Sequence, residues 1–136
     1  MADEGNLGSG ETILIVDDDV AYCEAIGEIL TSAGYRTVIA DSVLAAMSEL
    51  DNAIPDLIMS DTMMPVADGS LLLKAVRADP RYCGIPYVTV SAKAMVSDRA
   101  EAIATGASGF LAKPFSAAEL LAEVGRQMSR KDRRAA

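Results

Sequence analysis

The chain contains no histidine and no tryptophan, and only six aromatic residues, four Tyr and two Phe, in 136. Without histidine it can carry no phosphohistidine of its own, and it lacks the commonest general base and the commonest metal ligand. Two cysteines, Cys23 and Cys83, are too few and too far apart for a disulfide framework or a thiolate metal site. Both are expected to be free thiols in a reducing compartment. No apolar run is long enough to span a bilayer. The N-terminus lacks the charged-then-apolar order of a signal peptide. A cytoplasmic protein with no membrane partner is therefore expected. The formal net charge is −8, unevenly spread: from Arg126 onward it is +4, leaving −12 on the rest. An acidic body of that kind argues against nucleic acid as a direct ligand.

What is present is a repeated alternation of short β-branched runs and helical patterns. Residues 1–10 are polar and glycine-rich and are expected to be a flexible segment. Residues 11–130 form one domain, and 131–136 a basic tail. Thr12–Val16 reads as a first strand and Arg36–Ala40 as a second. Asp56 to Asp61 holds a third, Pro86 to Ser91 a fourth and Gly109–Ala112 a short fifth. Between them lie stripes such as Tyr22/Cys23, Ile26, Ile29/Leu30 and Ala33, spaced for one helical face. Asp18 or Asp19 can cap the first helix and Asp41 or Ser42 the second. Ser116 and Glu119 form a capping box for the last. The fourth helix is placed at about Ser97 to Thr105. Five βα units of this size imply an α/β fold with helices on both faces of a parallel sheet. The leading topology is flavodoxin-like, a three-layer sandwich with strand order 2-1-3-4-5 and a switch point between strands one and three.

That topology gathers the strand ends on one edge. Strand one ends in Asp17-Asp18, strand three in Asp61, strand four in Ser91, and strand five in Lys113. A lone aspartate at Asp61 would usually be a helix cap, and a lone Lys113 a surface lysine. Together they form a different object. Three carboxylates in one place repel one another, and a divalent cation relieves the repulsion. Magnesium accepts two carboxylates, a carbonyl and a phosphate oxygen while keeping its waters. Lysine and a serine hydroxyl can hold phosphoryl oxygens. The set suits phosphoryl transfer to a carboxylate, where alignment and charge neutralisation do most of the work.

The motifs Ile15-Val16-Asp17-Asp18-Asp19, Ser60-Asp61-Thr62-Met63-Met64-Pro65 with Asp68-Gly69, Val90-Ser91-Ala92, and Gly106-Ala107 running to Lys113-Pro114-Phe115 resemble the receiver domains of bacterial two-component response regulators. The resemblance extends from Thr12 to about Met128. It implies that Asp61 is a phosphoacceptor served by a sensor histidine kinase or a histidine phosphotransfer protein. It implies magnesium, with manganese as a substitute, held by Asp18 directly, by Asp17 largely through water, by Asp61, and by the Met63 backbone carbonyl. Lys113 is implied to pair with Asp61, and Lys113-Pro114 to be a cis bond. Ser91 is implied as a switch hydroxyl. Phe110 is implied as a switch aromatic that turns from exposed to buried. The surface of helix four, strand five and helix five would then change for a downstream protein target or a homodimer partner. Such a domain catalyses only its own phosphorylation and dephosphorylation. Apolar Met63 and basic Lys93 would activate water poorly, so the phosphoryl group is expected to persist for minutes to hours.

Two other origins fit parts of the pattern. The domain could be a module of a hybrid histidine kinase or a multidomain regulator. Asp17-x-Asp19 also opens phosphohydrolases of the haloacid dehalogenase type, with Asp17 as nucleophile and Asp19 as acid. In that reading Asp61 has no function.

Overall fold

The computed structural model describes residues 8–62 and 69–135. Five strands, β1 (Thr12–Val16), β2 (Arg36–Ala40), β3 (Leu57–Asp61), β4 (Tyr87–Ser91) and β5 (Gly109–Ala112), alternate with five helices. These are α1 (Val20–Ser32), α2 (Val43–Asn52), α3 (Gly69–Ala78), α4 (Val96–Thr105) and α5 (Ala117–Ala135). All strand pairs are parallel, in the order β2-β1-β3-β4-β5. The expected topology is the observed one.

Strand parity sorts the core into two layers. Ile13, Ile15, Leu57, Met59, Val88, Val90 and Leu111 point to the side of Cys23, Ile26 and Leu30 of α1 and Leu120 and Val124 of α5. Leu14, Val16, Ile58 and Tyr87 point the other way, onto Ala46 and Leu50 of α2 and Leu72, Leu73 and Val76 of α3. A strand covered on both faces has no polar side to spare, which is why β3 and β4 are buried at every position. Each large aliphatic side chain so covered contributes about 1.5–3 kcal/mol.

Caps set the helix starts. The Asp19 carboxylate accepts the Tyr22 N–H at 3.1 Å, and Ser42 Oγ accepts that of Ala45 at 3.0 Å. Ser116 Oγ and the Glu119 carboxylate satisfy each other's backbone N–H groups, so the capping box is present. α4 is the exception among the helices. It begins one residue before the sequence reading placed it, and it buries no side chain. Its C-terminal end is held by Arg77 of α3. That guanidinium donates to the carbonyls of Gly106 at 2.8 Å, Ile85 at 2.7 Å and Cys83 at 3.0 Å.

Two boundaries differ from the sequence reading. Residues 8–10 are tied down: the N–H groups of Gly8 and Gly10 donate to the carbonyls of Ala33 and Gly34. Glycine permits this close approach, with φ near +100° at Gly34. At the other end, α5 continues to Ala135, so residues 131–135 prolong a helix rather than form a separate tail. Among the described residues, no helix is long and apolar enough to cross a membrane.

Candidate phosphoryl site

The same parity that builds the core builds the site. Asp17 follows Ile13 and Ile15, Asp61 follows Leu57 and Met59, and Lys113 follows Leu111, all on the α1/α5 side. Register brings Asp17 level with Asp61, because Val16 pairs with Ser60. Since Asp61 pairs with Val90 and Val90 with Leu111, Lys113 stands two residues beyond that line and reaches back to it with its long side chain. The Lys113 N–H then donates to the Ser91 carbonyl at 2.8 Å, which sets the exit of β5. The Lys113–Pro114 peptide is cis, as the resemblance implied.

Carboxylate oxygens of Asp17, Asp18 and Asp61 lie within 4.8 Å of one another. Asp17 and Asp61 are buried and Asp18 is exposed. Lys113 Nζ donates to Asp17 Oδ2 at 2.9 Å and stands 3.7 Å from Asp61 Oδ1. The expected Lys113–Asp61 pairing is thus the looser of two contacts. The lysine reaches Asp17 first, because Asp17 presents an oxygen at hydrogen-bond distance. Burial pulls the Lys113 pKa down, but the bond to Asp17 and the charges of Asp17 and Asp61 outweigh it, and the net shift is upward. The ammonium stays charged. Three carboxylates and one ammonium leave two negative charges at one sheet edge. Hard oxygen ligands with that surplus fit a divalent cation such as magnesium. Met63 lies outside the described residues, as do Pro65 and Asp68.

Asp19, by contrast, is exposed and occupied as the α1 cap. The residue that would serve as acid in the phosphohydrolase arrangement is thus engaged at the start of α1. Cys23 lies under the cluster, buried. Burial first and Asp17 second push its thiol up to about 12, so it is no nucleophile at neutral pH.

Ser91 and Phe110 belong to the opposite strand parity, so they face α3 and α4 rather than the carboxylates. Ser91 Oγ accepts hydrogen bonds from Thr62 Oγ1 at 3.0 Å and from the Lys93 N–H at 3.0 Å. A cleft of about 300 Å³ opens on this side, lined by Thr62, Leu73, Lys74, Thr89, Ser91 and Phe110. Phe110 is not exposed, as had been expected for a resting switch aromatic. The residue is 6 % exposed, and the Arg99 guanidinium lies 4.8 Å from the centroid of its ring. An apolar ring beside an open cleft is better screened by a cation on its face than left in water.

Three contacts escaped the sequence reading. Thr62 enters the sequence reading only as part of the Asp61 motif, although its place directly after a strand-end carboxylate is a signal. Arg99 carried no signal. Tyr22 belongs to the apolar stripe of α1 and packs against the core, but its ring also lies under Lys113 Nζ, 4.3 Å from the centroid.

The comparisons with known proteins agree with this geometry. The family model for the response regulator receiver domain matches residues 13–125. The chain is 34 % identical over 120 residues to response regulator Rre1 of Synechocystis, covering 88 % of this chain and 52 % of that protein. It is 35 % identical over 121 residues to the DNA-binding dual master transcriptional regulator RpaA of the same organism, covering 89 % and 50 %. Among solved structures, the chemotaxis protein CheY4 of Vibrio cholerae superposes with a TM-score of 0.82 at 32 % identity, covering 86 % of this chain and 98 % of that one. The fold and the acidic sheet edge define a signalling domain of two-component systems. The chain belongs to the response regulator receiver domain family. It spans about half the length of the curated relatives it matches.

Proposed function

We propose that this domain accepts a phosphoryl group on Asp61 from a phosphohistidine of a sensor histidine kinase or a histidine phosphotransfer protein, in a magnesium-dependent reaction. One observation carries the reading: Asp61 stands at the carboxyl end of β3 inside the group of Asp17, Asp18 and Lys113. In the transfer the P–N bond breaks, a bond forms between phosphorus and an Asp61 carboxylate oxygen, and the electron pair returns to the imidazole. Lys113 supplies a fixed positive charge for the equatorial oxygens, and the Ser91 hydroxyl a donor. Asp17, Asp18 and Asp61, with the backbone carbonyl of Met63, would hold a magnesium ion, which would neutralise charge between carboxylate and phosphate. The domain catalyses only its own phosphorylation and dephosphorylation.

The readout is a change of surface. To reach a phosphoryl oxygen, Ser91 gives up its bond from Thr62, and Phe110 shifts in the cleft behind it. The α4–β5–α5 surface changes with it, and a downstream protein or a second copy binds there. The absence of buried side chains on α4 makes that helix cheap to move. The acidic body favours protein over nucleic acid as the direct ligand of this domain, and the free thiols of Cys23 and Cys83 favour a reducing compartment such as the cytoplasm. The relatives' greater length supports a second reading, in which the same domain is one module of a multidomain regulator or hybrid kinase.

The test is an intact mass after incubation with acetyl phosphate and magnesium. One added phosphoryl group is expected on the wild type and none on Asp61→Asn. A label that survives in Asp61→Asn and disappears in Asp17→Asn would replace this reading with the phosphohydrolase one.

A further inference from the structure

We propose that Tyr22 is a positioning residue for this site, its ring face holding the Lys113 ammonium where it can move between Asp17 and the group on Asp61. The inference rests on the reading of Asp61 as phosphoacceptor.

The ring is placed by contacts at both ends. The Asp19 carboxylate fixes the Tyr22 backbone N–H at the start of α1. Phe115, just past the lysine, meets the ring edge-on with centroids 6.2 Å apart and planes at 70°. Between these two anchors the half-buried ring presents its face to Lys113 Nζ at 4.3 Å. The ammonium therefore has two carboxylates on one side, at 2.9 and 3.7 Å, and an aromatic face on another.

The ring does something that a third carboxylate could not. A carboxylate holds an ammonium at fixed lone-pair directions, whereas the negative face of a ring attracts a cation over a broad area. Lys113 can swing from Asp17 toward a phosphoryl oxygen on Asp61 without losing that attraction. The ring also keeps water from that side of the ammonium. An aliphatic side chain of similar bulk would fill the space but give the cation no partner.

Two variants separate these roles: Tyr22→Phe keeps the face, and Tyr22→Leu removes it. The first readout is the NMR shift of the Lys113 ε-methylene protons, without phosphodonor. A ring-current upfield shift is expected in wild type and Tyr22→Phe and not in Tyr22→Leu. The second is the rate of Asp61 labelling by acetyl phosphate with magnesium. We expect Tyr22→Phe to stay within about twofold of wild type and Tyr22→Leu to be slower by about three- to tenfold. The rise in melting temperature with magnesium should be the same in all three, because the carboxylates are untouched. Wild-type labelling in Tyr22→Leu, or equal slowing in both variants, would overturn the inference. Unequal magnesium responses would overturn it too, by showing a general disturbance of the site. If wild type itself takes no label while the ring-current shift is present, the phosphoacceptor reading has failed, and the positioning role falls with it although the contact is real.

Discussion

Two clusters in this protein place one cation between two carboxylates at the same spacings, and they are put to different uses. Lys113 lies 2.9 Å from Asp17 and 3.7 Å from Asp61. Arg81 lies 2.9 Å from Asp79 and 3.7 Å from Asp51. The side chains of the first set are 22 %, 6 % and 8 % exposed. Those of Arg81 and Asp51 are each 63 % exposed. The surface cluster is also self-sufficient. Arg81 donates twice to Asp79 from its side chain, stacks on Tyr82, and Tyr82 Oη donates to Asp51 at 2.7 Å. The surface cluster keeps one negative charge in excess; the edge cluster adds Asp18 and keeps two, with two of its carboxylates buried. Spacing alone does not make a site. Burial raises the strength of each interaction, and unbalanced charge leaves something for a ligand to complete.

This comparison can be broken at its strongest point by Lys113→Met. Removing the cation takes the Lys113 charge away from two buried carboxylates, Asp17 and Asp61. A loss of about 2–3 kcal/mol in urea unfolding at neutral pH is expected, toward the lower end for a buried pair because the lysine is partly solvated. Labelling of Asp61 should fall as well. Magnesium tests the surplus charge directly. At about 100 times its dissociation constant it should stabilise the wild type by about 2.7 kcal/mol. Calorimetry should show that gain cut sharply in Asp18→Asn and unchanged in Asp79→Asn.

Titration sharpens the contrast from both ends. The Lys113 pKa is raised, so its contribution is complete below the ordinary lysine value of 10.5 and is lost as pH climbs through the raised value. The hydrogen bonds from Arg81 hold the Asp79 carboxyl below its ordinary 3.8. Its contribution is therefore present above that value and lost as pH falls through the lowered one. Urea midpoints across both limbs should show Lys113→Met flattening the alkaline side and Asp79→Asn the acid side, the second by less. The smallest effect belongs to Arg81→Ala at neutral pH. In physiological salt its urea midpoint should be indistinguishable from wild type, since solvent and ions screen that cluster. A large loss there would end the contrast between the clusters.

The alternation of β-branched runs and amphipathic stripes made the topology legible, because a strand buried on both faces and a helix buried on one leave different periodicities. The strand-end residues were legible for the same reason: once five parallel strands are ordered, Asp17, Asp61, Ser91 and Lys113 must fall on one edge. Sequence could not say how that edge divides. Parity turns Asp17, Asp61 and Lys113 toward α1 and α5 and turns Ser91 and Phe110 toward α3 and α4, so the charge cluster and the cleft lie on opposite sides of the sheet. Nor did it show that Lys113 reaches Asp17 before Asp61, that Thr62 holds Ser91, or that Arg99 covers Phe110. Those are contacts between residues 29 to 96 positions apart, or between an exposed helix residue and an aromatic of the neighbouring strand β5. Tyr22 makes the same point. Its spacing in α1 announces an apolar position, and that much is correct. That the ring carries a cation depends on a β5 exit about 90 residues away, and only packing α1 against that exit brings the two together.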